Sequence, residues 1–447
     1  MINKIKSKLK NNNLKELLQG SLIAFLFKVL GMGLGYLFTL LVARWYGSEV
    51  MGLYALSITI LNIFVTFGVF GFNQSLVKFA AEYNIQNKYE LVKESYQKMF
   101  YFSGVIAFIM SVILYINAVE IAENIFHKPR LGIFLQLISI VILPLVLLKI
   151  NTALFQGLRK IKIFSFLSTV GLSIFNLVGL FIIVNFFRES EVNIIFVQIS
   201  SIVFLFLLSF VFIKKHTFIF QAISKNLLSY YEILKVSFPM LLTSTMTLIM
   251  GWTDILMIGI FQSEADVGVY SVILKLAGLT SIILLSVNTI MAPKIVEYYT
   301  KKDFIGLEKI VQNSTNLIIF SSLPIIMVLT LFPTYILDIF GKEFLIGIPV
   351  LLILMFGQMM NMIVGSVGII LIMTGKQTIY NKIMIFSSLL NIILNYFLIN
   401  MYGIVGAAYS TAISTVVLNI VPFILIKYYY GFYTISVFNM AKKGNIR

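Results

Sequence analysis

Long apolar runs, separated by short polar segments, recur along the whole sequence and constrain its fold more than any other feature. A bilayer core about 30 Å thick needs roughly 20 helical residues to cross it. Charged residues make up only 12% of the 447 residues, whereas a soluble globular chain carries about 25%. Because so little charge could not cover a water-exposed surface, we predict an all-α integral membrane protein.

The lengths of the apolar runs predict twelve transmembrane helices. The first run follows a long basic segment and has no small-residue cleavage pattern after it, so we interpret it as a retained span. The approximate bounds are 20–43, 51–80, 99–118, 131–154, 163–186, 194–213, 237–261, 268–293, 313–332, 346–373, 380–399 and 404–426.

Lysine and arginine fall mostly on one side of these predicted spans. If the N-terminus is cytoplasmic, the cytoplasmic side holds the lysines between Lys4 and Lys15 and most of the later basic residues. The other side holds only Arg44, Lys128, Arg130, Arg188 and Lys342. Since basic residues accumulate in cytoplasmic loops, the asymmetry places both termini in the cytoplasm. The net charge of +16 is then a consequence of topology, and we expect no nucleic-acid partner.

Several kinds of chemistry have no support in the sequence. The chain has no cysteine, which excludes disulfides and thiolate sites. Its two histidines, His127 and His216, lie in loops that are predicted to be on opposite sides of the membrane. No GxxxxGK[ST] loop is present, so ATP hydrolysis is unsupported. We therefore expect no metal, no cofactor and no enzymatic activity.

The chain resembles itself at a shift of roughly 215–219 positions, which equals six predicted spans. YGSEVMGLYAL (46–56) recurs as FQSEADVGVYSV (261–272), and LGIFLQLISIV (131–141) recurs as IGIPVLLILMF (346–356). A third echo pairs 155–185 with 373–400. An even number of spans gives both copies the same orientation in the membrane.

This repeat predicts two parallel six-helix bundles around a central cavity. The predicted domains are 1–213 and 237–447, joined by a basic, amphipathic cytoplasmic segment, 214–236. Duplicated halves of this kind commonly enclose a substrate path and rock against each other.

Ionisable residues inside predicted spans are costly and are therefore candidates for function. They are Lys28, Lys78, Lys149, Asp254 and Lys275. Lys78 and Lys149 lie near cytoplasmic ends, where we favour a side chain that reaches the headgroups. Asp254 and Lys275 both lie about 10 Å below the surface. A structural salt bridge and a coupling or gating role for Asp254 both remain open.

Several runs resemble the polysaccharide flippases, the Wzx or O-antigen transporter branch of the MOP (MATE-like) exporter superfamily. They are LVARWYGSEVMGLYALSITILNIFVTFGVFGFNQSLVKFAAEY (41–83), FQGLRK (155–160), DILMIG (254–259), VGVYSVILKL (267–276) and YGIVGAAYSTAIS (402–414). The resemblance covers nearly the whole chain. It implies that an undecaprenyl-diphosphate-linked oligosaccharide moves from the cytoplasmic to the periplasmic leaflet of a bacterial inner membrane, for O-antigen, capsule or another surface polysaccharide.

Such a substrate implies cations in a wet cavity, because its diphosphate cannot cross hydrocarbon unaided. Lys28 and Lys275 are the expected cavity cations. Arg44 is a third candidate, for release at the periplasmic mouth, although we favour an interfacial anchor as the interpretation of this residue. Possible sugar contacts are Asn288, Gln358, Asn361, Asn391 and Asn395. We expect a monomer in membrane lipid, with a polysaccharide polymerase and glycosyltransferases as candidate partners.

Two other classes of protein are weighed against the flippase. A cation-coupled multidrug exporter of the MATE branch would favour acidic cavity residues, yet the spans offer one aspartate and several lysines. A membrane-embedded glycan polymerase or transferase would need a large catalytic loop or paired acids or histidines, which the short loops do not provide. Twelve spans also argue against the lipid II flippases of the same superfamily, which typically have fourteen.

Overall fold

The computed structural model of the protein describes residues 12–186, 190–217 and 228–435, and all regular secondary structure within these ranges is helical. The predicted all-α class is confirmed. The helices, numbered in chain order, are α1 (Asn12–Val69), α2 (Phe72–Ile85), α3 (Tyr89–Glu120), α4 (Pro129–Ser139), α5 (Ile142–Gly157), α6 (Ile161–Ser165), α7 (Gly171–Phe186), α8 (Asn193–His216), α9 (Tyr230–Phe261), α10 (Glu264–Thr300), α11 (Phe304–Leu331), α12 (Pro333–Phe340), α13 (Ile348–Val364), α14 (Val367–Met373) and α15 (Gln377–Tyr430). π-Helical turns follow α3 (Ile121–Ile125) and α6 (Phe166–Val170), and a 3₁₀ turn (Lys342–Gly347) precedes α13.

Eight helical segments in the described residues are long and apolar enough to cross a membrane, and α4 with α5, bent by 48°, would make a ninth. Two of the eight, in α1 and α15, contain a glycine with non-helical angles. Gly47 has φ 79° and Gly403 has φ 58°. Glycine reaches positive φ without the strain that a Cβ would cause, so each of these helices turns at its glycine. The count of twelve spans stays a prediction.

The chain divides into two compact units, and the division falls inside α1 and α9 rather than in a loop. The first unit comprises Met1–Val42 and Leu56–Leu248, and the second comprises Ala43–Ala55 and Ile249–Arg447. The predicted domains 1–213 and 237–447 stay a prediction. Residues 218–227 of the predicted linker 214–236 lie outside the described residues, as do the N-terminal lysines up to Lys10.

Buried polar contacts and one glycine hold the helices of the first unit together. Tyr96 Oη donates to Asn151 Oδ1 at 2.8 Å, and Asn151 Nδ2 donates to Ser209 Oγ at 2.7 Å, which links α3, α5 and α8. Gly71 has φ 75°, and a Cβ on it would lie 2.3 Å from the Ser237 carbonyl oxygen. The early turns of α9 therefore pack closely against the start of α2, while Tyr96, Asn151 and Ser209 form polar contacts between helices of the kind that stabilise membrane proteins.

In the second unit, the two copies of the repeated motif lie against each other. Gly52 and Gly268 occupy the same place in the copies, VMGLY and DVGVY. A Cβ on Gly52 would lie 1.8 Å from the Glu264 carbonyl oxygen, and a Cβ on Gly268 would lie 1.9 Å from the Ser48 carbonyl oxygen. Small residues permit such close helix approach, so the glycine that the two copies share is explained by a backbone-to-backbone crossing.

Side chains also hold Ala43–Ala55 in the second unit. The backbone N–H of Ser48 donates to Glu343 Oε2 at 2.8 Å, and its hydroxyl donates to the same oxygen at 2.5 Å. Arg44 Nη1 donates to the Ile339 carbonyl oxygen at 3.0 Å, in the last turn of α12. A cation at a helix C-terminus is favourable, so the structure gives Arg44 a local packing contact.

We expect Gly52→Ala and Gly268→Ala to destabilise the protein, because each new methyl group would overlap a backbone carbonyl at the crossing. Overpacking in a close-packed site costs about 1–3 kcal/mol. Thermal unfolding of the purified protein in detergent, followed by differential scanning fluorimetry, measures the effect.

The matched control is Gly33→Ala, because Gly33 is also helical and a Cβ there would have no atom within 4 Å. This variant should unfold at the temperature of the unmodified protein or slightly above it. If all three variants were equally stable, the proposed crossing would not exist in solution.

Candidate functional site

The second unit contains a buried carboxylate that is surrounded by hydrogen-bond donors. Asp254, in α9, is 6% exposed. Its Oδ2 accepts from Tyr270 Oη at 2.6 Å and also from the Thr411 hydroxyl. Its Oδ1 accepts from Asn395 Nδ2 at 2.7 Å and from Asn391 Nδ2 at 3.3 Å. These five residues are called the Asp254 cluster below.

Three helices build the Asp254 cluster. Asn391 and Asn395 are one turn apart and therefore share a face of α15. Thr411 lies in the same helix beyond the turn at Gly403, so both arms of α15 reach the carboxylate. Tyr270 lies in the second turn of α10. A buried charge is tolerated only when it is well hydrogen-bonded, and four neutral donors meet that requirement here.

Lys275 is not among these donors. Its side chain is exposed on α10, whereas the carboxylate of Asp254 is buried. The four neutral donors, rather than a salt bridge to Lys275, hold the carboxylate. The coupling or gating role of Asp254 stays a prediction.

The Asp254 cluster has spare acceptor capacity. Asn395 Oδ1 is buried and has no hydrogen-bond partner among the described residues. Asn391 Oδ1 accepts from Asn395 Nδ2 at 3.1 Å. Carboxylate, amide and hydroxyl oxygens are the ligands that hard cations prefer, and a carboxylate can also take up a proton. The Asp254 cluster could therefore change its charge by binding a cation or a proton.

The first unit contains a cavity of about 580 Å³ between α1, α2, α5, α8 and the segment that joins α6 to α7. Among its described lining residues, Lys149 is the one cation, and none is a carboxylate. The polar part of the lining includes Asn73, Gln74, Lys149, Gln156, Ser168 and Gln198. The remaining lining is largely apolar.

Lys149 lies in α5 and is half-buried. Its position along the sequence suggested a side chain that extends to the headgroups. The structure instead places it in the wall of this cavity. Distance from the end of a span gives depth in the membrane, but it does not show which way round the helix a side chain points.

The other predicted site residues are distributed over both units. Lys28 lies in α1 of the first unit and is exposed, and neither Lys28 nor Lys275 lines the cavity that contains Lys149. In the second unit, Gln358 Oε1 accepts from Thr280 Oγ1 at 3.2 Å and from Asn361 Nδ2 at 3.4 Å. Asn288 is half-buried. Their substrate-binding roles stay predictions.

Tyr270 and Thr411 were not predicted as site residues. Both lie in motifs that carried the family resemblance, VGVYSVILKL and YGIVGAAYSTAIS. Neutral polar residues are common at helix contacts in membranes, so the sequence alone gave no reason to select these two.

Comparison with protein families identifies two matches. A family model described as "Polysaccharide biosynthesis protein" matches residues 17–299, which is more than half of the chain. A model described as "MatE" matches residues 239–397.

Three curated relatives share sequence with the chain. An uncharacterized membrane protein, MJ1068, of Methanocaldococcus jannaschii is 26% identical over 408 residues, which is 83% of this chain and 77% of that protein. The "Capsular polysaccharide biosynthesis protein CapF" of Staphylococcus aureus is 25% identical over 328 residues, 71% and 81% of the two chains. The "Probable low-salt glycan biosynthesis flippase Agl15" of Haloferax volcanii is 29% identical over 201 residues, 43% of each.

Two solved structures share the fold. The lipid II flippase MurJ in an inward closed conformation has a TM-score of 0.72 and 17% identity, covering 92% of this chain and 87% of MurJ. An inward-facing multidrug resistance MATE transporter of the MOP superfamily has a TM-score of 0.73 and 13% identity, covering 92% and 98%. At these identities the likeness concerns the fold alone.

We expect Tyr270→Phe to destabilise the protein, because the buried carboxylate of Asp254 would lose one of its four donors. Loss of a hydrogen bond to a charged buried group costs about 1–3 kcal/mol. The control is Tyr402→Phe, since Tyr402 is exposed on α15 and should tolerate the change.

A double-mutant cycle with Asp254→Asn isolates the interaction. Tyr270→Phe should cost clearly less in the Asp254→Asn background than alone. Equal costs in both backgrounds would show that Tyr270 and Asp254 do not interact as described.

Proposed function

Because the chain belongs to the polysaccharide biosynthesis protein family, within the MOP superfamily, we propose that it is a flippase for a lipid-linked oligosaccharide. The observation that carries this proposal is the family match over residues 17–299. The relatives support it, since one is described as a glycan biosynthesis flippase and another as a capsular polysaccharide biosynthesis protein. The similarity to MurJ shows that the chain has the fold of a multi-pass membrane transporter.

The proposed substrate is an undecaprenyl-diphosphate-linked oligosaccharide for O-antigen, capsule or another surface polysaccharide. The proposed direction is from the cytoplasmic to the periplasmic leaflet of a bacterial inner membrane, with both termini in the cytoplasm. The distribution of lysine and arginine between the loops supports this orientation. The substrate and membrane lipid are its proposed contacts, with a polymerase and glycosyltransferases as functional partners of a monomeric carrier.

The proposed architecture follows from the repeat in the sequence. Twelve spans would form two parallel six-helix bundles, 1–213 and 237–447, around a central cavity. Rocking of such halves would expose the cavity to each side of the membrane in turn. Lys28 and Lys275 are the proposed cavity cations for the diphosphate, with Arg44 near the exit. Asn288, Gln358 and Asn361 are proposed as sugar contacts.

The Asp254 cluster is proposed as the coupling site. Binding of a proton or a monovalent cation would neutralise the carboxylate and change which of its four hydrogen bonds persist. A change of one charge across the membrane is worth about 2.3 kcal/mol per 100 mV, enough to bias a conformational equilibrium. Asn391 and Asn395, which the sequence suggested as sugar contacts, are assigned here to the support of Asp254.

A multidrug exporter is the second candidate, because the MatE model matches residues 239–397. The cavity of the first unit does not favour it, since a cationic drug would meet Lys149 and no carboxylate among the described lining residues. A membrane-embedded glycan polymerase or transferase is less well supported, since the relative Agl15 is described as a flippase.

Expression in a bacterial host that lacks its own polysaccharide flippase tests the function. We expect the unmodified protein to restore the surface polysaccharide and to remove the accumulated lipid-linked precursor, because transport is the missing step. Gel analysis of the polysaccharide and mass spectrometry of the lipid fraction are the measurements. Increased drug resistance without restored polysaccharide would favour the exporter.

Variants in the same host test the proposed residues. Lys28→Ala, Lys275→Ala and Asp254→Asn should each lower surface polysaccharide about tenfold or more, the effect of losing about 1.4 kcal/mol of a favourable interaction. Protein abundance, measured by immunoblotting, should stay normal, and Lys382→Ala is a control on an exposed part of α15. Normal polysaccharide in the two lysine variants would remove the argument for an anion-binding cavity. Normal polysaccharide in Asp254→Asn would remove the argument for a coupling site.

A further inference from the structure

The ammonium group of Lys149 faces a cavity, and it has no protein partner among the described residues. Within the described residues, the structure gives it neither a hydrogen-bond acceptor nor a carboxylate. Two other lysines of the chain are paired with carboxylates, Lys98 with Glu94 at 2.9 Å and Lys301 with Glu297 at 2.6 Å. A partly buried lysine without a counter-charge is unfavourable in an apolar environment, which suggests that a ligand supplies the missing anion.

Two further polar side chains of the lining also lack partners among the described residues: Asn73 on α2 and Gln156 on α5. Lys149 and Gln156 are seven residues apart, so they lie two turns apart on one face of α5. Their neighbours on that face, Thr152 and Ala153, line the same cavity. The ammonium group of Lys149 and the amides of Asn73 and Gln156 thus face the same cavity, from helices α2 and α5.

The rest of the lining favours an anion over a cation. Its described residues include no carboxylate, and apolar side chains such as Leu148, Leu167 and Leu172 form much of the wall. Apolar walls lower the local dielectric constant and so strengthen the attraction between unlike charges. The volume of about 580 Å³ lies in the range of small-molecule sites and exceeds what a single phosphate needs.

We propose that this cavity is a subsite for the phosphate of a lipid-linked glycan, in which Lys149 pairs with phosphate oxygens and the amides of Asn73 and Gln156 donate to them. A lysine is an effective point-charge partner for phosphate. The inference rests on the proposed function for the identity of the lipid. It adds a residue-level site in the first unit, distinct from Lys28 and Lys275.

Binding of undecaprenyl diphosphate to the full-length protein tests this subsite directly. The protein is reconstituted in nanodiscs of phosphatidylcholine, and the affinity is measured by microscale thermophoresis. Lys149→Gln should weaken binding about 10- to 100-fold, as expected for loss of a charge-assisted hydrogen bond, whereas Lys149→Arg should keep most of the affinity. The control is Lys78→Gln, a change of an exposed lysine of the same unit that should leave the affinity unchanged.

A purely structural role of Lys149 predicts a different pattern. Because Lys149 has no described protein partner, Lys149→Gln without ligand should unfold at or above the temperature of the unmodified protein. Addition of undecaprenyl diphosphate should raise that temperature clearly more in the unmodified protein than in the variant. A variant that is destabilised without ligand, yet binds normally, would overturn the subsite.

Phosphatidylglycerol and free pyrophosphate are the two competing sources of phosphate. Each is titrated against bound undecaprenyl diphosphate, and neither should displace it at comparable concentration if the site is built for the glycolipid. Displacement by phosphatidylglycerol at equal concentration would overturn the proposal in favour of a phospholipid site, and displacement by pyrophosphate would show a simple anion site.

The same variants separate this inference from the proposed function. If the unmodified protein restores surface polysaccharide in the flippase-deficient host, and Lys149→Gln binds and transports as well as it does, the subsite is wrong and the function stands. If the unmodified protein restores no polysaccharide, the proposed function fails, while a Lys149-dependent affinity for the probe would still support the site.

Discussion

Burial of a charged side chain in an apolar helix bundle requires either hydrogen-bond partners or a ligand, and this requirement organises both units of the protein. In the second unit the requirement is met internally, because four neutral donors surround Asp254. In the first unit Lys149 faces a cavity and has no partner among the described residues. The charge of Asp254 is thus satisfied within the fold, whereas the charge of Lys149 is available to a ligand that enters the cavity.

This contrast agrees with what a carrier needs. A substrate site should be complete only when substrate is present, since interactions that are already satisfied contribute nothing to binding. A coupling site, by contrast, should be stable in the absence of substrate and should respond to a small ion. The Asp254 cluster is hydrogen-bonded without substrate, and Asn395 Oδ1 has no partner among the described residues, which agrees with the coupling role proposed for it. The proposed substrate class rests on membership of the polysaccharide biosynthesis family and not on the geometry alone.

The sequence predicted the features that composition and periodicity control. The all-α class followed from the apolar runs, and Asp254 was found because an acidic residue within a span is rare. Its partners Tyr270 and Thr411 were not found, because they come from distant parts of the chain and neutral polar residues are common in spans. The environment of Lys149 was predicted from its depth in the span alone. The direction in which its side chain points from α5 became known only from the packing of the neighbouring helices. The close crossing at Gly52 likewise depends on contacts between segments far apart in sequence.

Transport in a purified system tests the central claim most directly. The protein is reconstituted into liposomes with an undecaprenyl-diphosphate-linked oligosaccharide distributed over both leaflets, and a membrane-impermeant glycosidase is added outside. We expect the protected inner-leaflet fraction to become cleavable in vesicles that contain the protein, and to stay protected in empty vesicles. If the same fraction stays protected in both, the chain does not move lipid-linked glycans.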